Sequence, residues 1–203
     1  LLAWHRALFP DGQSGLTPIR VGQWRDDANG AMQVVSGPLH RQRVHFEALA
    51  ATQLSAELAR FLHWLNHDAS QNALLKAGLA HLWFLTLHPF DDGNGRIARA
   101  ICEMLLARAD GSAKRFYSLS AQIQRERRGY YEILERSQKG SLDVTEWLVW
   151  FLQQLDAAIS NAQQLLDSVL FKVRFWRHWS ETPLHARHIK VLNRLLDGFD
   201  GKL

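Results

Sequence analysis

His88-Pro89-Phe90-Asp91-Asp92-Gly93-Asn94-Gly95-Arg96-Ile97-Ala98-Arg99 joins two stretches of helical pattern. Before it, Ala73 to Leu87 is apolar nearly all round, the pattern of a central helix buried on every face. Pro89 ends that helix, because the residue before a proline is pushed out of the α region. After it, Arg96 to Ala109 restarts a helix with Ile97, Ile101, Met104 and Leu105 inward. A chain organised around this unit is mainly α.

The joining loop has the chemistry of an anion site. Gly93 and Gly95 around Asn94 allow backbone geometry in which successive N–H groups converge on an anion. The start of the next helix adds its orphan N–H groups and positive dipole end. Arg96 and Arg99 are three residues apart on that helix and share a face, so both guanidinium groups could clamp a polyphosphate. Asp92, one residue before the glycines, is the kind of single carboxylate that holds Mg²⁺ together with phosphate oxygens and water. His88 is the side chain suited to accept a hydroxyl proton near neutral pH. Phe90 reads as an apolar plug that anchors the loop on the core. Each piece alone is weak, and Gly-Asn-Gly is a common turn; their fixed spacing in one window points to phosphoryl or nucleotidyl transfer.

Working outward, Thr52 to Asn66 places Leu54, Leu58, Phe61, Leu62 and Leu65 at helical spacing. Upstream, Leu1 to Phe9 forms a short amphipathic helix closed by Pro10-Asp11-Gly12, and Gln13 to Gly30 reads as loop. Met32 to Ser36 and Arg43 to Phe46 are β-prone around Gly37-Pro38, which predicts one hairpin. Downstream, Ser120 to Ser137 is predicted as one helix ending at Lys139-Gly140. Asp143 and Glu146 resemble a capping box opening a long helix towards Trp179, and Leu184 to Leu196 forms a last short helix after Pro183.

The chain has 203 residues, 47% hydrophobic and 22% charged, with a net charge of +4. That composition is ordinary for a globular domain, and its mild basicity suits an anionic ligand without arguing for DNA. The apolar runs are too short to span a bilayer. One cysteine, Cys102, excludes an intramolecular disulfide and fits a reducing, cytoplasmic setting. The chain opens on Leu1-Leu2-Ala3-Trp4 without Met and already in helical pattern, as a piece of a longer protein would.

The loop resembles the Fic-family signature H-P-F-x-D/E-G-N-G-R-x-x-R at every defined position. The resemblance implies a Fic-type helical bundle with one β-hairpin flap, and transfer of AMP from Mg-ATP to a Tyr, Thr or Ser hydroxyl of a target protein. By that match His88 is the base, Asp92 binds Mg²⁺, Gly93, Asn94 and Gly95 form the anion hole, and Arg96 and Arg99 hold the β- and γ-phosphates. Relatives resembling the Doc toxin have lysine at the Gly95 position and transfer phosphate instead. The hairpin, about 31–47, falls where the family has a flap that holds its target by strand pairing, which assigns Met32, Gln33, Val34 and Val35 to docking. Tyr130, Tyr131 and Gln138 correspond to residues beside the adenine and ribose, although the family more often has Asn at the last position. Tyr130 and Tyr131 point different ways on a helix, so one of them is expected to reach nucleotide.

The wording around the signature resembles a bacterial branch with an extra N-terminal region and a C-terminal winged helix. The expected division is a catalytic domain over 1–180, with catalytic loop 88–96, and the start of a winged-helix-like segment over 181–203. Homodimerisation is the family's habit, and any DNA contact would fall to the recognition helix of the winged helix, which lies beyond this segment. The inhibitory motif S/T-x-x-x-E-G/N is not found in 1–203 and is expected N-terminal to Leu1, so this chain should lack its brake. Removal of AMP, or transfer of UMP or phosphocholine, would use the same base, metal and anion hole. A regulatory or DNA-associated module with an idle nucleotide pocket is the reading from another class.

His63 and His67 have metal-like i, i+4 spacing, but Trp64 stands where a zincin has Glu and no third ligand is evident, so a surface or core role is favoured; His185 and His188 read the same way. Arg125, Arg127 and Arg128 read as a solvated helix face. Cys102 reads as a small buried residue, and Trp147, Trp150, Trp176 and Trp179 as core or as packing against a second copy, not as a cofactor box.

Overall fold

A computed structural model describes residues 1–28, 30–38, 41–112 and 114–198. Among them the chain forms eight α-helices and two antiparallel hairpins. In chain order these are α1 (Leu2–Leu8), β1 (Gln13–Ser14), β2 (Thr17–Pro18), β3 (Gln33–Ser36) and β4 (Arg43–Glu47). Then come α2 (Ala51–His67), α3 (Ala73–Leu87), α4 (Asn94–Ala109) and α5 (Leu119–Arg125). The chain continues through α6 (Arg127–Lys139), α7 (Thr145–His178) and α8 (Ala186–Leu196).

α3 is the axis of the bundle. Asn72 caps it by accepting from Leu74 N–H at 2.9 Å, and Ala77, Ala80, Phe84, Leu85 and Leu87 are buried along it. One side packs on α4 through Ile97, Ala98, Ile101 and Leu105, and another on Leu58, Phe61 and Leu65 of α2. The first half of α7 closes the core with Trp147, Phe151 and Leu155. Gly78 lets α7 approach: a Cβ there would lie 2.9 Å from Phe151 Cδ1 and 3.1 Å from Leu148 Cδ2. Its carbonyl accepts from Trp147 Nε1–H at 2.8 Å. Gly78→Ala is therefore expected to cost about 2 kcal/mol by overpacking, read as a lower urea midpoint. An unchanged midpoint would contradict this account of the contact.

Four details depart from the sequence reading. The stretch taken as loop holds a second hairpin, β1–β2, with Gln13 opposite Pro18 and Gly15 at φ +59° in its turn; strands of two residues are too short to show alternation. The single helix expected over Ser120 to Ser137 breaks at Glu126 (φ −95°, ψ 29°) into α5 and α6. Leu119, Ile123, Tyr130 and Leu134 keep helical spacing through the break, so periodicity does not reveal it. Asp143 does accept from Thr145 N–H at 2.9 Å, but Glu146 pairs with Arg136 at 3.6 Å instead of completing a capping box. Finally, α4 begins at Asn94, two residues before the expected start.

The second half of α7 projects past the core and meets α8 through Lys172–Asp197 (2.7 Å) and Trp176–Asn193 (3.0 Å). Of the segment expected as a winged-helix start, the structure shows α8, and residues 199–203 lie outside the described residues. No described helix is long and apolar enough to cross a membrane.

Candidate active site

α3 delivers His88 to its C-terminal end in the left-handed region (φ 47°, ψ 58°). Among the described residues it is the one non-glycine with positive φ, a conformation that costs free energy unless its surroundings enforce it. Arg25 enforces it. Its side chain is fully buried, and Nε donates to His88 O at 2.8 Å while its backbone N–H donates to Pro89 O at 2.9 Å. The other guanidinium nitrogens donate to Leu49 O at 2.5 Å and to Asp27 Oδ1 at 2.8 Å.

Phe90 is wholly buried and stacks on His5 of α1 with centroids 4.0 Å apart. Asn94 closes the loop from inside: Phe90 N–H donates to Asn94 Oδ1 (3.0 Å) and Asn94 Nδ2 donates to Phe90 O (2.8 Å). Arg20 N–H donates to Asp91 Oδ2 at 3.0 Å. His5 is a second brace. Gly22 N–H donates to its Nδ1 at 3.0 Å, so Nε2 carries the proton and donates to Asp92 O at 3.1 Å.

Gly93 takes φ +83°, and a Cβ there would stand 2.8 Å from Phe9 Cε2. Its N–H is turned to Asp92 Oδ1 at 2.6 Å. The part the structure gives Gly93 is thus steric. The orphan N–H groups of the helix start are those of Asn94, Gly95 and Arg96, since the first intrahelical bond runs from Ile97 N–H to Gly93 O (3.0 Å). The Asn94 side chain serves the loop, which leaves its backbone for any anion. Asp92 is half-exposed, accepts from Ser14 Oγ–H and has Arg96 at 3.6 Å. The Arg96 guanidinium also lies 4.5 Å over the Phe9 ring.

His88, Gly95 and Arg99 open on a cleft of ≈ 880 Å³. Across it, Tyr131 and Gln138 of α6 form one wall, and Val34 and Val35 of β3 form the lip. Met32 and Gln33 face a neighbouring groove of ≈ 690 Å³ with Arg20 and Asp91. The structure divides the tyrosine pair. Tyr130 is 4% exposed, with its hydroxyl 2.8 Å from His81 Nε2, whereas Tyr131 is 53% exposed and carries Arg127 over its ring at 5.8 Å. Both line the cleft, and Tyr131 exposes far more of its ring there.

His88 Nδ1–H donates to Leu85 O at 3.3 Å, leaving the Nε2 lone pair as its basic site. Burial pushes its pKa down to about 4; the Leu85 carbonyl pulls it up, Arg25 pulls it down and Asp92 pulls it up. Burial, with Arg99, also takes His81 down to about 3. Both histidines are thus neutral in the fold where the unfolded chain binds protons. Their stabilisation is complete above the unfolded pKa near 6.5 and is lost as pH falls towards 4 and 3. Stability is expected to drop by about 3 kcal/mol between roughly pH 7 and pH 5, and His81→Phe should flatten that slope. Urea melts across this range check the sign; a stability that rises on acidification would refute it.

Sequence reasoning missed the braces: His5, Phe9, Ser14, Arg20 and Arg25. His5 and Phe9, the residue that ends α1, stand four apart with ring centroids 5.0 Å apart, and that spacing is a signal available in the sequence. Arg25 lies in a Gly- and Asp-rich stretch that gives no sign of burial. His63 and His67 stack on each other (4.6 Å), and no group of three His, Cys, Asp or Glu side chains among the described residues could hold a metal.

A buried helix ending on a left-handed histidine, a braced loop, and a second helix opening on Asn-Gly-Arg beneath a hairpin define a Fic-type fold. The sequence profile of the Fic/DOC family matches residues 1–106, and the chain belongs to that family. A protein adenylyltransferase Fic from Drosophila virilis is 35% identical over 91 residues, 44% of this chain and 18% of that protein. Its namesake from Drosophila ananassae is 34% identical over the same length, 17% of its own. The chain thus spans under a fifth of those relatives. A Fic family protein from Desulfovibrio desulfuricans G20 superposes with a TM-score of 0.64 at 25% identity, over 81% of this chain and 46% of that one. A Fic-domain signaling protein from Bacteroides thetaiotaomicron shares the fold with a TM-score of 0.56 at 20% identity, over 80% and 62%.

Proposed function

We propose that the chain is a protein adenylyltransferase that moves AMP from Mg-ATP to a Tyr, Thr or Ser hydroxyl of a target protein and releases pyrophosphate. One observation carries this reading: His88, with its Nε2 lone pair available, shares a cleft with Gly95 and Arg99 under the lip formed by β3. His88 would take the acceptor's proton as the hydroxyl attacks the α-phosphate. The N–H groups of Asn94, Gly95 and Arg96, with the two arginines, would hold the pyrophosphate as it gains charge. Tyr131 and Gln138 would face the base and ribose. The names of the fly relatives agree with this chemistry.

Asp92 fits Mg²⁺: it is one half-exposed hard-oxygen donor next to the phosphate site, and Mg²⁺ keeps most of its waters. Bound there, the ion would neutralise phosphate charge. Among the described residues β3 pairs only with β4, so its outer edge can take an extended acceptor segment by backbone pairing. Incubation with Mg²⁺ and α-labelled ATP should leave label on protein. Label transferred only from α-labelled UTP, or ATP bound without transfer, would overturn the reading.

A further inference from the structure

The flap is tied to the nucleotide wall through one carboxylate. In the β3–β4 ladder Val34 pairs with Phe46 and Val35 with Val44, which leaves His45 as the extra residue of a bulge. A bulge bends its strand and re-aims a side chain. Here His45 Nδ1 donates to Glu135 Oε2 at 2.6 Å, and its Nε2 lies 2.6 Å from Ser36 Oγ on the other strand. Arg43, also on β4, donates to Glu135 Oε1 at 2.9 Å. Lys139, one turn further along α6, donates to the same oxygen at 2.8 Å.

Glu135 is 18% exposed at its side chain. Lys139, His45 and Arg43, in that order of weight, hold its carboxyl down to about 2. It also stands on the same helix face as Tyr131 and Gln138, at i+4 and i+7 from Tyr131. The surface proposed to meet the base is therefore the surface that holds the flap.

The geometry points to Glu135 as a positioning residue for the acceptor: through Arg43 and the bulged His45 it sets the height of β3 over His88. This rests on the adenylyltransferase reading for its meaning, but not for its first test. Hydrogen–deuterium exchange on the ligand-free protein compares wild type with Glu135→Gln, which keeps the shape and removes the charge. Amides of 33–36 and 43–47 are expected to exchange about tenfold faster in the variant, with α3 and α4 unchanged. Unchanged flap exchange, or equal acceleration throughout the core, overturns the assignment whatever the activity.

The second arm measures transfer from α-labelled ATP to a reduced, alkylated model protein, whose extended chain offers all three hydroxyls. Half-saturation for that acceptor should rise about tenfold in the variant, with turnover at saturation and Mg-ATP affinity within about twofold. Glu135→Asp should fall between the two. An equal loss of ATP affinity would make Glu135 a nucleotide-site residue and overturn the proposal. If wild type transfers nothing while the flap loosens in the variant, the adenylyltransferase reading fails and the latch stands.

Discussion

Replacing His88 by asparagine is expected to lower transfer of AMP by about a thousandfold, the size of effect a positioned base supplies. Asparagine is the informative choice. Among non-glycine residues it tolerates the left-handed region well, so it can keep the φ of 47° that alanine adopts at a further cost. It has no lone pair basic enough to take the acceptor's proton. Because Nδ1 of His88 is already committed to Leu85 O, the loss maps onto Nε2. Circular dichroism and urea melts should show a folded variant of near-normal stability, while label from α-labelled ATP disappears from protein. Transfer within a few-fold of wild type would remove His88 from the chemistry.

Arg25→Met is expected to lose about 3 kcal/mol of stability, and with it most activity. The guanidinium is buried against its own preference, since burial pulls its pKa below the ordinary arginine value while Asp27 and then Asp91 pull it up. Methionine fills much of the volume but leaves the carbonyls of His88 and Leu49 without that donor, and each buried carbonyl left unpaired costs about 1 kcal/mol or more. Asp27 loses a charge partner as well, although Ala51 N–H still donates to it at 2.6 Å. Arg25→Lys should recover little, because an ammonium cannot satisfy acceptors spread across a planar fork. Midpoints from urea unfolding decide it, and a methionine variant that melts like wild type would show that the clamp is decorative.

These two residues mark what the sequence discloses. His88 and its loop are legible because their chemistry is local: histidine, carboxylate, glycines and arginines sit within twelve residues of chain. The bundle is legible because the apolar positions of α2, α3 and α4 repeat at helical spacing. Arg25 is not, because its role comes from three-dimensional neighbours and a polar loop has no period. The α5–α6 break stays hidden for the opposite reason, since Leu119, Ile123, Tyr130 and Leu134 keep a period that the backbone does not follow. For the tyrosine pair, helical geometry shows that the rings diverge. Which one is sunk in the core depends on His81, forty-nine positions away.

The bracing of the loop also says something about how the site comes into being. α3 and α4 are adjacent in sequence and close on one another across a short turn, so their pairing is entropically cheap and can form early. The contacts that shape the turn are distant: His5 reaches Asp92 across 87 residues and Arg25 reaches His88 across 63. The loop between the helices thus acquires its braced shape only when the N-terminal segment arrives. A chain whose first thirty or so residues have come away would keep most of its helix and still be inert, and on gentle denaturation activity should vanish before ellipticity does.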